Sequence, residues 1–441
     1  MSRLPKKYLI FPVILLLIYF IVRIVDQSKI LFFFPLDYTN DISSYMAMLH
    51  FLKDYGYHGF VLNWFNGFTL FDVYAPGWFF FAYPIYYLSD DIQATVYISM
   101  LIMFALFAVL VYFLGKMEKW KSWHSFAFFI LFVGSPFVVG DFIRQMRLPQ
   151  MFGWISFILL IIIALHYRGR KIDAWFLWTI PVFALMIISH SAEVILFSLV
   201  VAGLLITRKS ISEAAVVVLS MIAGIIVSMP WLYTFLTKSP SLVVSQLNFS
   251  WWLLDFTGSF KFANITSIAL SVMLFVVYAL YSYSRKLKLR DHLFFAPILL
   301  FNLLFTFRVT PFLPLFSNLY LDPIVMFVYF FLLYFLFNIN YETLGGTYKR
   351  LLKVGLTLLP VLFILVSVYH TPFFVTPSDK ELYELSIVKD IEGNFITTWS
   401  DSPRFYSAAI VSYAPIFYNS TSATGWDYLH ATPEYWNLLK N

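Results

Sequence analysis

The chain has 441 residues, of which 61% are hydrophobic and only 12% charged, with a net charge of +6 and no cysteine. A soluble globule needs nearer a quarter of its residues charged to coat its surface, and disordered, collagenous or coiled-coil chains do not carry 51 Phe against 17 Gly. That leaves a polytopic membrane protein without disulfides, Cys-ligated metals or iron–sulfur clusters, whose scattered basic clusters make no nucleic-acid face.

In chain order the first element is the apolar run 8–25 behind Lys6 and Lys7, which reads as an uncleaved signal anchor because no small-residue cleavage site interrupts it. A bilayer core takes about 20 apolar residues per helix, roughly 17–25. Stretches of that kind follow at 92–114, 123–139, 151–167, 174–190, 192–207, 214–235, 264–283, 292–307, 323–340 and 351–369. The sequence therefore predicts an all-α polytopic membrane protein of about eleven transmembrane helices.

Lys and Arg cluster at 3–7, 116–121, 168–171, 208–209, 285–290 and 349–353, alternating with loops that hold most of the acids. Basic clusters stay cytoplasmic, which puts the N-terminus inside and, after eleven spans, the C-terminus outside. The inner loops are short. The first outer loop, 26–91, is long, and further outer segments lie at 140–150, 236–263, 308–322 and from 370 onward. Long loops between packed spans tend to carry function, so the outer face is where chemistry is expected. The organisation reads as a transmembrane domain over 1–369 and an outer C-terminal segment over 370–441, a short or incomplete soluble domain. Its runs FITTW and YSAAIV look strand-like.

Within the first outer loop, apolar residues recur at Tyr45, Met46, Met48, Leu49 and Leu52, an amphipathic helix suited to the membrane interface. Asp41 stands just before it, either as an N-cap or as a catalytic carboxylate. Residues 63–88 are dense in Trp, Phe, Tyr and Pro. Pro76 and Pro84 predict that 77–88 lies in or dips into the interface instead of crossing. Asp90 and Asp91 read as the acidic start of the next span.

This loop, with an Asp after the first span, an interfacial helix and then WFNG…APGWFFFAYPIYYL, resembles the GT-C superfamily of polytopic glycosyltransferases. More narrowly it resembles a prokaryotic, largely archaeal group named 6-pyruvoyl-tetrahydropterin synthase related membrane proteins, a name that implies no pterin chemistry. The fragment NDISSYMAMLHFLKDYGYHGFVLNWFNG is also similar to the first outer loop of oligosaccharyltransferase catalytic subunits. GSPFVVGDFIRQMRLPQMFGW resembles the family's second outer loop and puts Asp141 on the same face as Asp41. MIISHSAEVILF resembles its helix break with a Ser-His pair, at His190. GWDYLH resembles the acceptor motif of oligosaccharyltransferases but lacks its second Trp and closing Gly.

The resemblance implies transfer of a sugar from a polyprenyl-phosphate donor to a lipid, glycan or protein acceptor at the outer face. Such chemistry needs a carboxylate to take the acceptor's proton or to hold a metal at the leaving phosphate. Asp41 is the first candidate, with Asp37 behind it. Asp141 is a second carboxylate or else a partner of Arg144. A divalent metal, Mg or Mn, would fall to Asp41 and Asp141. For phosphate the candidates are Arg308, Arg144 and Arg147, since Arg suits forked contacts with phosphate oxygens. His190, Glu193 and His50 are further candidates for substrate binding at membrane depth. Asp322 departs from the Arg that the family often has near the start of the tenth span. The alternative from another class is a polytopic transporter or lipid flippase. That reading predicts repeated halves and charges at mid-membrane, and neither is apparent.

Overall fold

The computed structural model describes residues 4–32, 40–241, 250–258, 260–370, 407–425 and 431–440, with isolated positions between 373 and 395. Asp37 and the Trp426-Asp427-Tyr428 stretch lie outside the described residues. All eleven apolar stretches are helical. They form α1 (Lys6–Phe32), α4 (Ile92–Met117), α5 (Ser122–Val133), α7 (Leu148–Tyr167), α8 (Ala174–Ile187), α9 (Ser191–Ile206), α10 (Ile211–Lys238), α12 (Lys261–Arg285), α13 (Leu289–Thr306), α14 (Leu321–Asn338) and α15 (Gly346–His370). The first outer loop supplies α2 (Asn40–Tyr55) and α3 (Gly77–Ser89), and later outer segments supply α6 (Pro136–Arg144) and the short α11 (Ser250–Leu254).

Among the described residues, seven helices are each long and apolar enough to cross a membrane. An eighth crossing forms if α5 and α6, bent by 50°, count as one span. The chain is thus a multi-pass membrane protein. Of the eleven expected crossings, α8 and α9 fall short because the break at Ile188–His190 interrupts them, and α15 is not among these eight. At 1.5 Å per residue, α8 rises only about 21 Å against a hydrocarbon core of about 30 Å. Alpha-helix α3 is also too short to cross, as its two prolines predict.

The body is organised around α14, whose sequence FVYFFLLYFLF is apolar on every side and is 94% buried over its span. A helix without a polar face belongs in the middle of a bundle. It packs on α12, α5 and α9, while α10 and α12 turn Ile222, Ile226, Val272 and Val276 outward, as lipid-facing surfaces require. A close helix approach is set by Gly203 on α9: a Cβ there would stand 2.0 Å from the carbonyl oxygen of Phe294 on α13. Gly203→Ala is therefore expected to push α9 from α13 at a cost of about 1–3 kcal/mol. A lower melting temperature in detergent would show it, and an unchanged one would refute the contact.

The first outer loop is packed into the protein. Residues Ile42 to Leu52 of α2 are buried except His50. The reason lies in the C-terminal segment, where α16 (Ser407–Tyr418) covers α2. Ser44 and Ser412 meet at 3.2 Å, Trp64 donates its indole N–H to the carbonyl of Val411 at 2.9 Å, and Ser422 donates its N–H to the carbonyl of Asn63 at 2.9 Å. Alpha-helix α2 thus does not lie open in the interface, and the strand-like run YSAAIV is helical from Ser407. Of FITTW only Phe395 is described, in a two-residue pairing with Thr421 and Ser422. The last described helix is α17 (Pro433–Lys440), whose Tyr435 caps the same contact through the carbonyl of Ala423 at 2.6 Å.

Candidate active site

Three carboxylates from three distant segments meet on one guanidinium. Arg147, the residue before α7, donates from Nη1 to Asp141 at 3.0 Å and to Asp322 at 3.0 Å, and from Nε to Asp41 at 3.3 Å. The Tyr320 ring lies beneath it at 5.6 Å. Asp41 and Asp322 each sit in the first turn of a helix, where the helix dipole favours a carboxylate. Asp41 is inside α2 and spends its carboxylate on Arg147, so the capping alternative does not hold.

Asp141 comes from an unusual local winding. Val139–Arg144 is a π-helix, entered through Ser135, whose hydroxyl accepts the N–H of Val138 at 3.3 Å. One widened turn is the kind of feature that re-aims a side chain at a functional site. It points Asp141 at Arg147 and sends Arg144 the other way, to Asp26 on α1 at 2.9 Å. Arg144 therefore belongs to a buried ion cluster with Asp26 and Arg23, away from the site.

His190 and Glu193 form the inner wall. The turn between α8 and α9 places His190 Nδ1 2.7 Å from Glu193 Oε2. A Cβ on Gly153 of α7 would lie 3.1 Å from both partners, so the pair is clamped between α7 and α9. Nearby, Gly77 at the start of α3 donates its N–H to the carbonyl of Ile188 at 2.7 Å, tying the first outer loop to this turn. Asp141 Oδ2 and Glu193 Oε1 are buried without a hydrogen-bond donor.

Two further candidates fall elsewhere. His50 is on α2 but roughly 14 Å further along its axis than Asp41. It pairs with Asp54 at 3.2 Å and meets the Tyr86 hydroxyl at 3.3 Å. Arg308, just past α13, donates to the carbonyl of Asn264 at 2.8 Å and to Ser267 Oγ at 2.6 Å. It is buried, its Nε and Nη1 lack acceptors, and no carboxylate pairs with it among the described residues. Burial pushes its guanidinium down to about 10. It connects to the cluster only indirectly, through Asn264, Trp252 and the Trp252–Tyr320 ring contact at 5.5 Å.

Burial raises the pKa of Asp41, and Arg147 and His190 pull it back only in part. Burial also opposes the charge of Arg147, but the three carboxylates outweigh it and hold the guanidinium above its ordinary value. Tyr45 of α2 receives a hydrogen bond from Tyr74 at 2.9 Å; burial raises both phenols, so they stay neutral. Asp90 and Asp91 are not part of the site. Asp91 caps α4 through the N–H of Ala94 at 2.9 Å, and Asp90 pairs with Lys53.

The residues that sequence reasoning missed are Asp322, Tyr45, Tyr74 and Tyr320. Among the described residues, no three His, Asp or Glu side chains converge so as to hold a metal ion. The carboxylates meet on Arg147, and its guanidinium stands between them.

The fold is similar to that of the Archaeoglobus fulgidus oligosaccharyltransferase crystallised with a tethered acceptor peptide containing the NVT sequon. The TM-score is 0.56 at 10% sequence identity, over 95% of this chain. The chain spans 64% of that protein's chain. No protein-family model matches the chain, and no curated protein matches it. The likeness is one of fold, and it supports the broad GT-C-like architecture without reaching the narrower pyruvoyl-tetrahydropterin-related group.

Proposed function

We propose that this chain is a membrane glycosyltransferase. It moves a sugar from a polyprenyl-phosphate-linked donor to a lipid, glycan or protein acceptor at the outer face, with the N-terminus cytoplasmic and the C-terminus outside. The observation that carries this reading is the convergence of Asp41, Asp141 and Asp322 on Arg147. Acids from separate segments are brought together at a cost, because they repel one another and Asp141 must also be desolvated, and sites that accept that cost are commonly functional.

Asp41 is the proposed base, since its carboxylate is partly exposed where the other candidate, Asp141, is almost wholly buried. In the transfer step the acceptor oxygen bonds to the anomeric carbon. The bond from that carbon to the phosphate oxygen breaks, its electron pair leaves on the phosphate, and Asp41 takes the acceptor's proton. Arg147 uses Nη1 and Nε on the carboxylates, and its Nη2 has no partner among the described residues. That leaves one nitrogen for a phosphate oxygen. Arg308, with two donor groups unspent, is a further candidate for the phosphate.

The lipid part of the donor also has room. An apolar groove of about 330 Å³ runs between α1, α12, α14 and α15, lined by residues such as Leu16, Met273, Leu333 and Leu356. Ser135 and Pro136, at the start of α6, line its end. Asp141 follows Pro136 on the same helix, only about 7 Å further along. An isoprenoid chain in the groove would therefore deliver its phosphate close to the carboxylate cluster.

The test is incubation of purified protein with a radiolabelled polyprenyl-phosphate sugar and a membrane lipid extract. Label is expected to leave the donor; a donor recovered intact under all conditions would refute the reading. The pH profile adds a sharper expectation. Asp41 acts only when ionised, and its raised pKa means that it takes up a proton at a higher pH than an ordinary Asp. Activity should therefore fall on acidification with a midpoint above the ordinary carboxylate value of about 4. An acid limb at or below that value would contradict the role.

A further inference from the structure

We propose that Arg147 is the resident cation of this site, standing where a divalent metal would otherwise stand, so that transfer needs no added metal ion. This rests on the glycosyltransferase reading for its activity arm only. A magnesium or manganese ion shared by three carboxylates draws each oxygen to about 2.1 Å and takes ligands from several directions. Here the oxygens of Asp141 and Asp322 are both held at 3.0 Å from Nη1, and that of Asp41 at 3.3 Å from Nε. These distances run to two different nitrogens, and the guanidinium fills the space between the three oxygens, where an ion would have to stand.

Three further features fix Arg147 in that place. Its backbone N–H is bonded to the carbonyl of Asp141 at 3.1 Å, so the side chain leaves from a pinned position. Tyr320 lies under the guanidinium plane. The Leu148-Pro149 start of α7 begins one residue later, setting the direction of the chain. A guanidinium is always charged and planar, with five N–H donors in fixed directions, so one Arg can bind three carboxylates at once. A dication could enter only by expelling it, because two cations cannot share so small a space.

The experiment is a manganese titration of the detergent-solubilised full chain, read by the loss of the free-ion EPR signal. Wild type is expected to leave free manganese undiminished. Arg147→Ala removes the guanidinium that stands between the three carboxylates, so that they can close on a cation, and should take up one manganese per chain. Asp141→Asn added to Arg147→Ala should weaken that uptake tenfold or more. One manganese bound by wild type, weakened tenfold by Asp141→Asn, would overturn the proposal. Failure of a folded Arg147→Ala to bind manganese would overturn it as well, because the carboxylates would then not be a cation site.

The second measurement needs no variant. Transfer by wild type is expected to survive exhaustive chelation within about twofold, and a loss restored by magnesium or manganese would overturn the proposal. If wild type moves no sugar with or without metal, the glycosyltransferase reading fails, while the manganese titration still decides which cation the site holds.

Discussion

Asp41→Asn is expected to lower sugar transfer by about 10²–10⁴-fold, the usual contribution of a positioned general base. The substitution changes little else. Asn has the shape of Asp and keeps an oxygen for the Nε–H of Arg147, now 3.3 Å away. Alpha-helix α2 is held by burial along its length and by the α16 cover, so its position does not depend on one surface charge. Donor binding should persist because no residue of α2 lines the groove. The effect therefore belongs in kcat, with KM for the donor nearly unchanged. Initial rates with labelled donor decide it, and transfer within threefold of wild type would remove Asp41 from the mechanism.

The second large effect is structural. Arg147→Ala leaves Asp141, Asp322 and Asp41 facing one another without a counter-charge. Removing one partner of a buried ion pair costs about 3–5 kcal/mol. Asp141 is buried enough to approach that range, whereas Asp41 and Asp322 see water and add less. The three segments that Arg147 joins should loosen together, and the melting temperature should fall clearly. Combining Arg147→Ala with Asp141→Asn removes the worst of the orphaned charge and should recover part of the loss. Such non-additivity is the signature of direct coupling. Purely additive effects would mean that Arg147 and Asp141 do not interact.

What could be read from the sequence divides along physical lines. Spans are legible because a bilayer imposes both composition and length, and every apolar stretch became a helix. Their depth was harder to read: the hairpin of α8 and α9 has the composition of two crossings but is cut short at His190. Asp41 and Asp141 stood out through the resemblance, which sets an Asp after the first span and a second on the same face in the next such loop. The alternative that paired Asp141 with Arg144 fails for a definite reason. A spacing of three residues pairs side chains on an α-helix. Residues 139–144 are wound as a π-helix, in which the N–H of Gln145 reaches back to the carbonyl of Gly140, at 2.9 Å. The extra residue in that turn hands the contact to Arg147.

Asp322 shows a different limit. Alone it reads as an acid in the first turn of α14, stabilised by the helix dipole, and as a departure from the family's Arg. Nothing near it in sequence marks it as a neighbour of Asp41, since only tertiary packing brings the two to one guanidinium. The C-terminal helix was lost for a related reason. YSAAIV carries residues common in strands, but its apolar face found α2 to cover, and tertiary context overrides such local preference.

The most direct measurement uses proteoliposomes carrying the purified chain and a labelled polyprenyl-phosphate sugar, with sugar acceptors supplied on one side at a time. The account predicts that label passes from the polyprenyl lipid to an acceptor on the side facing the carboxylate cluster, and that Asp41→Asn abolishes it. Label that crosses the bilayer still attached to its original lipid, at the same rate in wild type and Asp41→Asn, would contradict the account and establish a transporter instead.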